Sequence, residues 1–239
     1  MIFTRPHHQK IAKVLESLNT DLLKKNNCLF AGGTAIALRY GEYRESVDMD
    51  FLISDLSSYR YLRNLVREQG VQALMRITDA GQFQAADVRS DQYGIRTKVY
   101  VETNPIKFEI VLEGRIGLAK PGKEDSILGV ATLTKLDMAA GKLLANSDRG
   151  LDMGVHCRDV IDLAMIHLSK SEFSEATAKA QEAYGEAILR DLSKVIDMLG
   201  ETNGLLERCM KAMNVSVPRA LLWQNIRKVR SYLVVGTPK

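Results

Sequence analysis

The residues best suited to chemistry lie in Val47-Asp48-Met49-Asp50-Phe51-Leu52-Ile53, where two carboxylates sit one residue apart inside an apolar run. As a strand, this stretch puts Asp48, Asp50 and Leu52 on one face and Val47, Met49 and Phe51 on the other. The two carboxylates are then roughly 6.6–7 Å apart on the same side. Like charges at that spacing repel unless a cation lies between them. Mg²⁺ suits such oxygen ligands and keeps water and substrate phosphates in its shell. The competing reading is the wet side of an edge strand, but the apolar flanks argue for a central one. A third acid, Glu109, stands in Ile106-Lys107-Phe108-Glu109-Ile110-Val111-Leu112, where it alternates with Phe108 and Ile110. If the two strands are neighbours, three carboxylates converge, as a two-metal phosphoryl-transfer site requires. Lys107 supports the alternative, an ordinary polar hairpin face. Gly32-Gly33-Thr34 follows the apolar run Cys28–Ala31. Two glycines there let backbone approach a ligand, and a following helix would offer free N–H groups to phosphate. A glycine turn needed for sterics alone reads the same way.

Periodicity supplies the elements that must hold these groups. Ile11, Val14, Leu15, Leu18 and Leu22 predict one helix from about residue 8 to 25, stopped by Asn26-Asn27. Cys28–Ala31 reads as a buried strand, and Thr34–Tyr40 as a short helix ended by Gly41. Ser57 is placed to cap a helix over 58–69. Strand-like runs follow at 72–78, 83–88, 95–102 and 106–112, the last two punctuated by Asn104-Pro105 as a hairpin. Beyond about residue 133 the pattern is helical. Thr134 with Asp137 resembles a capping box, and further helices are expected at 158–169, 173–199, 203–213 and 218–234. Gly114, Gly117, Pro121 and Gly122 loosen the chain between the halves. The expectation is therefore an α+β chain, with a mixed-sheet lobe over 1–118 and a helical lobe over 119–239.

Composition bounds the class. The chain has 239 residues, 46% hydrophobic and 26% charged, which excludes disordered, collagen-like and coiled-coil architectures. No run of about 18 apolar residues suggests a membrane span, and the N-terminus lacks the pattern of a secretory signal. The three cysteines, Cys28, Cys157 and Cys209, form no Cys-x-x-Cys pair, which fits a reducing cytoplasm. The net charge of +4 divides evenly, with 16 Lys+Arg against 14 Asp+Glu in residues 1–118. A nucleic-acid partner is allowed but not announced. His7, His8, His156 and His167 lack metal-ligand spacing. Trp223 reads as packing beside Leu222 and Ile226, or as a base-stacking group. Arg227, Lys228 and Arg230 read as a solvated helix end, or as cations for an RNA backbone.

The order Gly32-Gly33-Thr34, Asp48-x-Asp50 and a later strand carboxylate resembles the nucleotidyltransferase pattern of the DNA polymerase β superfamily. More narrowly, GGTAIALRYGEYRESVDMDFLIS resembles the AbiEii/AbiGii nucleotidyltransferase toxin family, and Lys142 to Arg149 and Arg158-Asp159-x-x-Asp162-Leu163 resemble its later motifs. The resemblance implies that Gly32, Gly33 and Thr34 hold a triphosphate. It implies that Asp48, Asp50 and Glu109 bind Mg²⁺ or Mn²⁺, with Glu109 helping to deprotonate the attacking hydroxyl. Aspartate is commoner at that third place. Arg44 and Ser46 would touch phosphate or base. Lys142 and Arg149 would bring positive charge to the phosphates, and the alternative makes them surface cations of an amphipathic helix. Asp159 would orient Lys142, while Asp162 reads either as its companion or as a helical partner of Arg158. Gly141, mid-helix at a cost of roughly 1 kcal/mol, predicts a close approach to that backbone, by a ligand or by another helix.

The implied activity is transfer of a nucleoside monophosphate from an NTP, ATP or GTP among them, to a hydroxyl. The helical lobe would close the other wall of a nucleotide cleft. The family further implies a toxin with a transfer-RNA end as acceptor and an antitoxin encoded beside it. Two alternatives stay open: a small-molecule, antibiotic-type nucleotidyltransferase, and a non-catalytic relic of the fold.

Overall fold

A computed structural model describes residues 2–79 and 81–233. The chain forms two compact units, one of Met1–Glu42 with Ser46–Thr134 and one of Tyr43–Glu45 with Lys135–Lys239. Among the described residues the architecture is α+β, with a mixed sheet and 10 α-helices.

The first unit opens with α1 (Pro6–Ser17) and α2 (Thr20–Lys25). The single helix expected over 8–25 is broken because Leu18 is extended and Asn19 caps α2 by accepting from the Leu22 N–H. Next come β1 (Leu29–Ala31), α3 (Gly32–Arg39), β2 (Met49–Ile53) and α4 (Leu56–Gln69). Asp55, not Ser57, caps α4, with its carboxylate accepting from the Ser58 N–H at 2.7 Å. The strand expected over 72–78 is instead a 3-10 turn, Val71–Leu74, followed by a single bridge from Met75 to Leu18 and a turn over 77–79. Two short strands, β3 (Gln84–Ala85) and β4 (Arg89–Ser90), precede the long hairpin of β5 (Gly94–Val101) and β6 (Asn104–Leu112). Glu102 adopts φ 58° in the turn between them.

The sheet runs β1-β2-β6-β5-β3, with β4 also on β5. The β2–β6 pair is parallel and the others are antiparallel. One sheet face is dry: Met49, Phe51, Ile53, Ile106, Phe108, Ile110, Ile95 and Val99 are all buried. Phe30, Phe51 and Phe108 form an aromatic row across β1, β2 and β6, with centroids 5.3 and 5.2 Å apart.

The first unit continues past the expected boundary near residue 118. Strands β7 (Ser126–Ile127) and β8 (Val130–Ala131) close a hairpin over Leu128 and Gly129, both with positive φ. Thr132 then bridges Phe30, and the Leu133 N–H donates to the Phe30 carbonyl at 3.1 Å. Arg39 pairs with Asp125 at 2.7 Å. These bonds tie 125–133 to the sheet, so the helical unit starts at Lys135.

The second unit contains α5 (Lys135–Arg149), α6 (Arg158–Met165), α7 (Lys170–Tyr184), α8 (Ala187–Glu201), α9 (Leu205–Ala212) and α10 (Arg219–Leu233). The helix expected over 173–199 is two helices, divided at Gly185 with φ 55°. Position 234 of the expected last helix lies outside the described residues. Helix α5 packs against α6, α7 and α8, and α6 against α10. The three cysteines are buried free thiols.

Candidate active site

Two constellations take up the residues singled out in the sequence, one in each unit. In the first, Ala31 pairs with Asp50 across β1 and β2, and the chain turns into α3 at Gly32. Gly32 has φ +72°, and a Cβ there would collide with the Asp50 carboxylate. Only glycine therefore lets Asp50 lie against the start of α3. The N-cap residue Ala31 has no capping side chain, so the first N–H groups and the dipole of α3 lie beside the Asp50 carboxylate.

Asp50 stands directly opposite Glu109 in the parallel β2–β6 register, and the two share the wetter face of the sheet. Asp48 precedes β2 and is half-buried. Thr34, expected at the triphosphate, is buried with its hydroxyl donating to the Asp48 carbonyl at 2.5 Å and lying 2.8 Å from the Ser46 hydroxyl. The Ser46 hydroxyl meets Thr34 in the same knot. Both side chains fix the approach of Asp48.

Sequence reasoning passed over the two histidines that complete this bracing. The Ser46 N–H donates to His8 Nε2 at 3.2 Å, and His8 Nδ1 donates to Glu42 at 2.8 Å. His8 is thus held as the neutral Nδ1–H tautomer. Next to it, His7 Nε2 donates to the Val47 carbonyl at 3.0 Å. Adjacent histidines at a helix start carry no sequence signal for this role.

Glu109 is engaged by cations. Lys107 Nζ lies 2.7 Å from one carboxylate oxygen and Arg96 Nε 3.3 Å from the other. Burial acts against the Lys107 charge, but the bond to Glu109 and the charges of Glu109, Asp48 and Asp50 outweigh it and raise its pKa. An ammonium thus sits in the field of all three carboxylates. Among the described residues no three acidic, histidine or cysteine side chains are gathered closely enough to hold a metal ion by themselves. Mg²⁺ needs no such cage, since one or two carboxylates plus substrate phosphates and water suffice. Asp48 and Asp50 fit that demand as hard oxygen donors beside the start of α3. Glu109, expected as the third ligand, stands opposite Asp50 with both oxygens on cations.

The second constellation lies in the helical unit, where Asp162 is fully buried. Arg44 grips it in bidentate fashion, Nε at 2.6 Å and Nη2 at 2.9 Å, and the Tyr43 hydroxyl donates to it at 2.5 Å. Lys142 Nζ reaches Asp162 at 2.6 Å and Asp159 at 2.9 Å. Arg149 adds two bonds to Asp159, at 2.8 and 3.1 Å. Burial opposes the charge of both carboxylates. The facing cations win, holding Asp159 well below the usual range and lowering Asp162 as well.

Arg44, expected at phosphate or base, is therefore occupied by Asp162. Lys142 is buried between two carboxylates, with Asp159 beside it as expected. The Arg158–Asp162 bridge does not form, because Asp162 faces inward toward Arg44 and Lys142. Three cations meet two carboxylates, and Arg149, 37% exposed against 7% for Lys142 and 5% for Arg44, is the member that reaches solvent. Gly141 has nothing within 4 Å of where a Cβ would stand, so no other helix makes the close approach expected there.

Comparison with known proteins gives three findings. The sequence pattern of the family described as Nucleotidyl transferase AbiEii toxin, Type IV TA system, matches residues 13–227. A crystal structure of a candidate nucleotidyltransferase from H. pylori superposes over 98% of this chain and 97% of its own, at 16% identity and a TM-score of 0.51. JHP933 from Helicobacter pylori is similar over 98% and 95%, at 17% identity and a TM-score of 0.49. The first likeness is one of fold. No curated protein matches.

Proposed function

The chain belongs to the AbiEii nucleotidyltransferase toxin family, and from that premise we propose that it moves a nucleoside monophosphate from an NTP to a hydroxyl acceptor, releasing pyrophosphate. One observation carries this reading: Gly32 admits the Asp50 carboxylate to the start of α3. Asp48 and Asp50 would hold Mg²⁺ or Mn²⁺, which would supply Lewis-acid charge to the phosphates. The N–H groups of Gly33 and its neighbours face the same place and suit phosphate oxygens.

Thr34, Ser46, His7 and His8 are positioning residues that hold the backbone entering Asp48. Glu109 keeps Lys107 and Arg96 in place beside the aspartates. Within the helical unit, Arg149 is the cation that can meet an anion, while Arg44 and Lys142 hold carboxylates. The family description speaks of a toxin of a type IV system, which supports an antitoxin partner, and we extend the reading to an RNA acceptor such as a transfer-RNA end. No described helix is long and apolar enough to cross a membrane.

The test uses α-labelled NTPs, Mg²⁺ and an RNA pool. Wild-type protein should label RNA, and Asp48→Asn should lower the rate by about three orders of magnitude or more while the fold persists. Undiminished transfer by the variant would refute the assignment. No transfer by the wild type to RNA or to small hydroxyl compounds would favour a relic that only binds.

A further inference from the structure

The wetter face of the sheet carries an arrangement that the proposed metal and triphosphate sites leave unexplained. Along β5, Arg96, Lys98 and Tyr100 share this face, since Ile95, Thr97, Val99 and Val101 are the buried alternates. In the antiparallel register Lys98 stands directly opposite Lys107, and Arg96 directly opposite Arg89. Like charges directly across a sheet destabilise it. Two such pairs side by side are therefore a cost borne by the free protein.

Glu109 compensates Lys107 and Arg96, and Asp91 also reaches Arg96 at 3.3 Å. Lys98 and Arg89 are exposed and make no ion pair among the described residues. Guarding an edge would explain Arg89 on the short β4. It does not explain Lys98, which lies on an interior strand between β6 and β3. The cations run from Lys107, beside the aspartates, across β5 to β4. That is roughly two strand spacings, about 10 Å. Tyr100 adds a half-buried ring next to Lys98 on the same face.

We infer that this face is a binding track for a single-stranded phosphodiester chain, whose phosphates lie over the Lys98–Lys107 and Arg89–Arg96 pairs and one of whose bases stacks on Tyr100. Backbone-tracking cations interleaved with an aromatic ring are what sequence-tolerant single-strand binding uses. The polyanion removes the cation–cation repulsion, so binding and stability are traded at the same residues. The inference deepens the proposed transferase reading, because the track starts at the aspartates and would deliver the chain's terminal hydroxyl to them.

The test is fluorescence anisotropy of the full chain, without NTP, on labelled oligoribonucleotides and oligodeoxyribonucleotides across a salt series. Lys98→Glu with Arg89→Glu should weaken binding about tenfold or more and make the log–log salt slope shallower by about 1.4, at roughly 0.7 per lost phosphate contact. The same variant should melt at a higher temperature than wild type, because each facing pair then has opposite charges. Tyr100→Ala should weaken binding by roughly fivefold or more.

Arg227→Glu with Lys228→Glu on α10 changes the net charge equally and should leave the affinity within about twofold. Unchanged binding by the sheet variant overturns the inference, as does a loss confined to the α10 variant or a wild type that binds neither oligonucleotide. Tighter binding of the ribose form identifies RNA, and equal binding identifies the shared backbone. The two readings can fail separately. Oligonucleotide binding that depends on Lys98 and Arg89 without any nucleotidyl transfer leaves the track and removes the transferase. Transfer with binding indifferent to these residues does the reverse.

Discussion

Single residues carry the sharpest consequences where charge is buried. Asp162 has no exposed surface and is shared by Arg44, Lys142 and Tyr43. Removing one partner of a buried pair leaves the others uncompensated, at a cost of about 3–5 kcal/mol. Asp162→Asn should therefore lower unfolding free energy by about that amount in urea titration, and Lys142→Ala by a comparable amount. An exposed lysine would change it by only a few tenths of a kcal/mol, so a small effect at Lys142 would place it on the surface after all. Gly32→Ala should damage both stability and nucleotide binding. The φ of +72° is unfavourable for alanine, and the Cβ would displace the Asp50 carboxylate. NTP calorimetry and thermal melting of that variant check both halves of the expectation.

At the scale of elements, two helices offer independent tests. Gly141 lies inside α5 with open space where a Cβ would go. Gly141→Ala should stabilise the protein by up to about 1 kcal/mol through helix propensity, and a loss of stability would reveal a contact at that position. Helix α7 begins with a reciprocal capping box between Ser169 and Glu172, and Lys135 bonds the same carboxylate at 2.9 Å. The Ser169 N–H bond first, and then Lys135, pull the Glu172 pKa down from 4.5 to about 2. A depressed carboxylate stabilises fully above its unfolded pKa and loses that contribution as pH falls toward the folded value. The melting-temperature gap between wild type and Glu172→Gln should thus be constant near neutrality and close between pH 4.5 and about 2. A gap that persists at pH 2 would mean that the carboxylate charge is irrelevant to the cap.

For the whole molecule, the partition of the chain is itself testable, because Tyr43–Glu45 belongs to the helical unit although its neighbours in sequence belong to the first. The Glu45 N–H donates to the Met213 carbonyl at 2.9 Å, and the Ser216 N–H donates to the Tyr43 carbonyl at 2.8 Å. A fragment of 135–239 lacks these bonds and the Arg44 guanidinium, and should melt at least about 10 °C below the helical signal of the intact chain. Equal melting would show that Arg44 adds nothing to that unit. The helical C-terminal half, the strands carrying Asp50 and Glu109, and the glycine turn before α3 were all legible in the sequence, while Asp48, expected on the same strand, lies just before it. Each is written in local periodicity and turn chemistry, which act over a few residues. Strand neighbours and ion-pair partners were not legible in that way. Alternation put Asp50 and Glu109 each on a polar face, but only the β2–β6 pairing sets them opposite one another. Arg44 and Lys142 look like phosphate cations from their motifs, yet folding brings Asp162 to Arg44 across 118 residues. A buried charge must be neutralised by whatever the fold places beside it, and that neighbour is not encoded in local spacing. The two facing cation pairs of the sheet belong to the same kind of fact, since register alone sets Lys98 opposite Lys107 and Arg89 opposite Arg96.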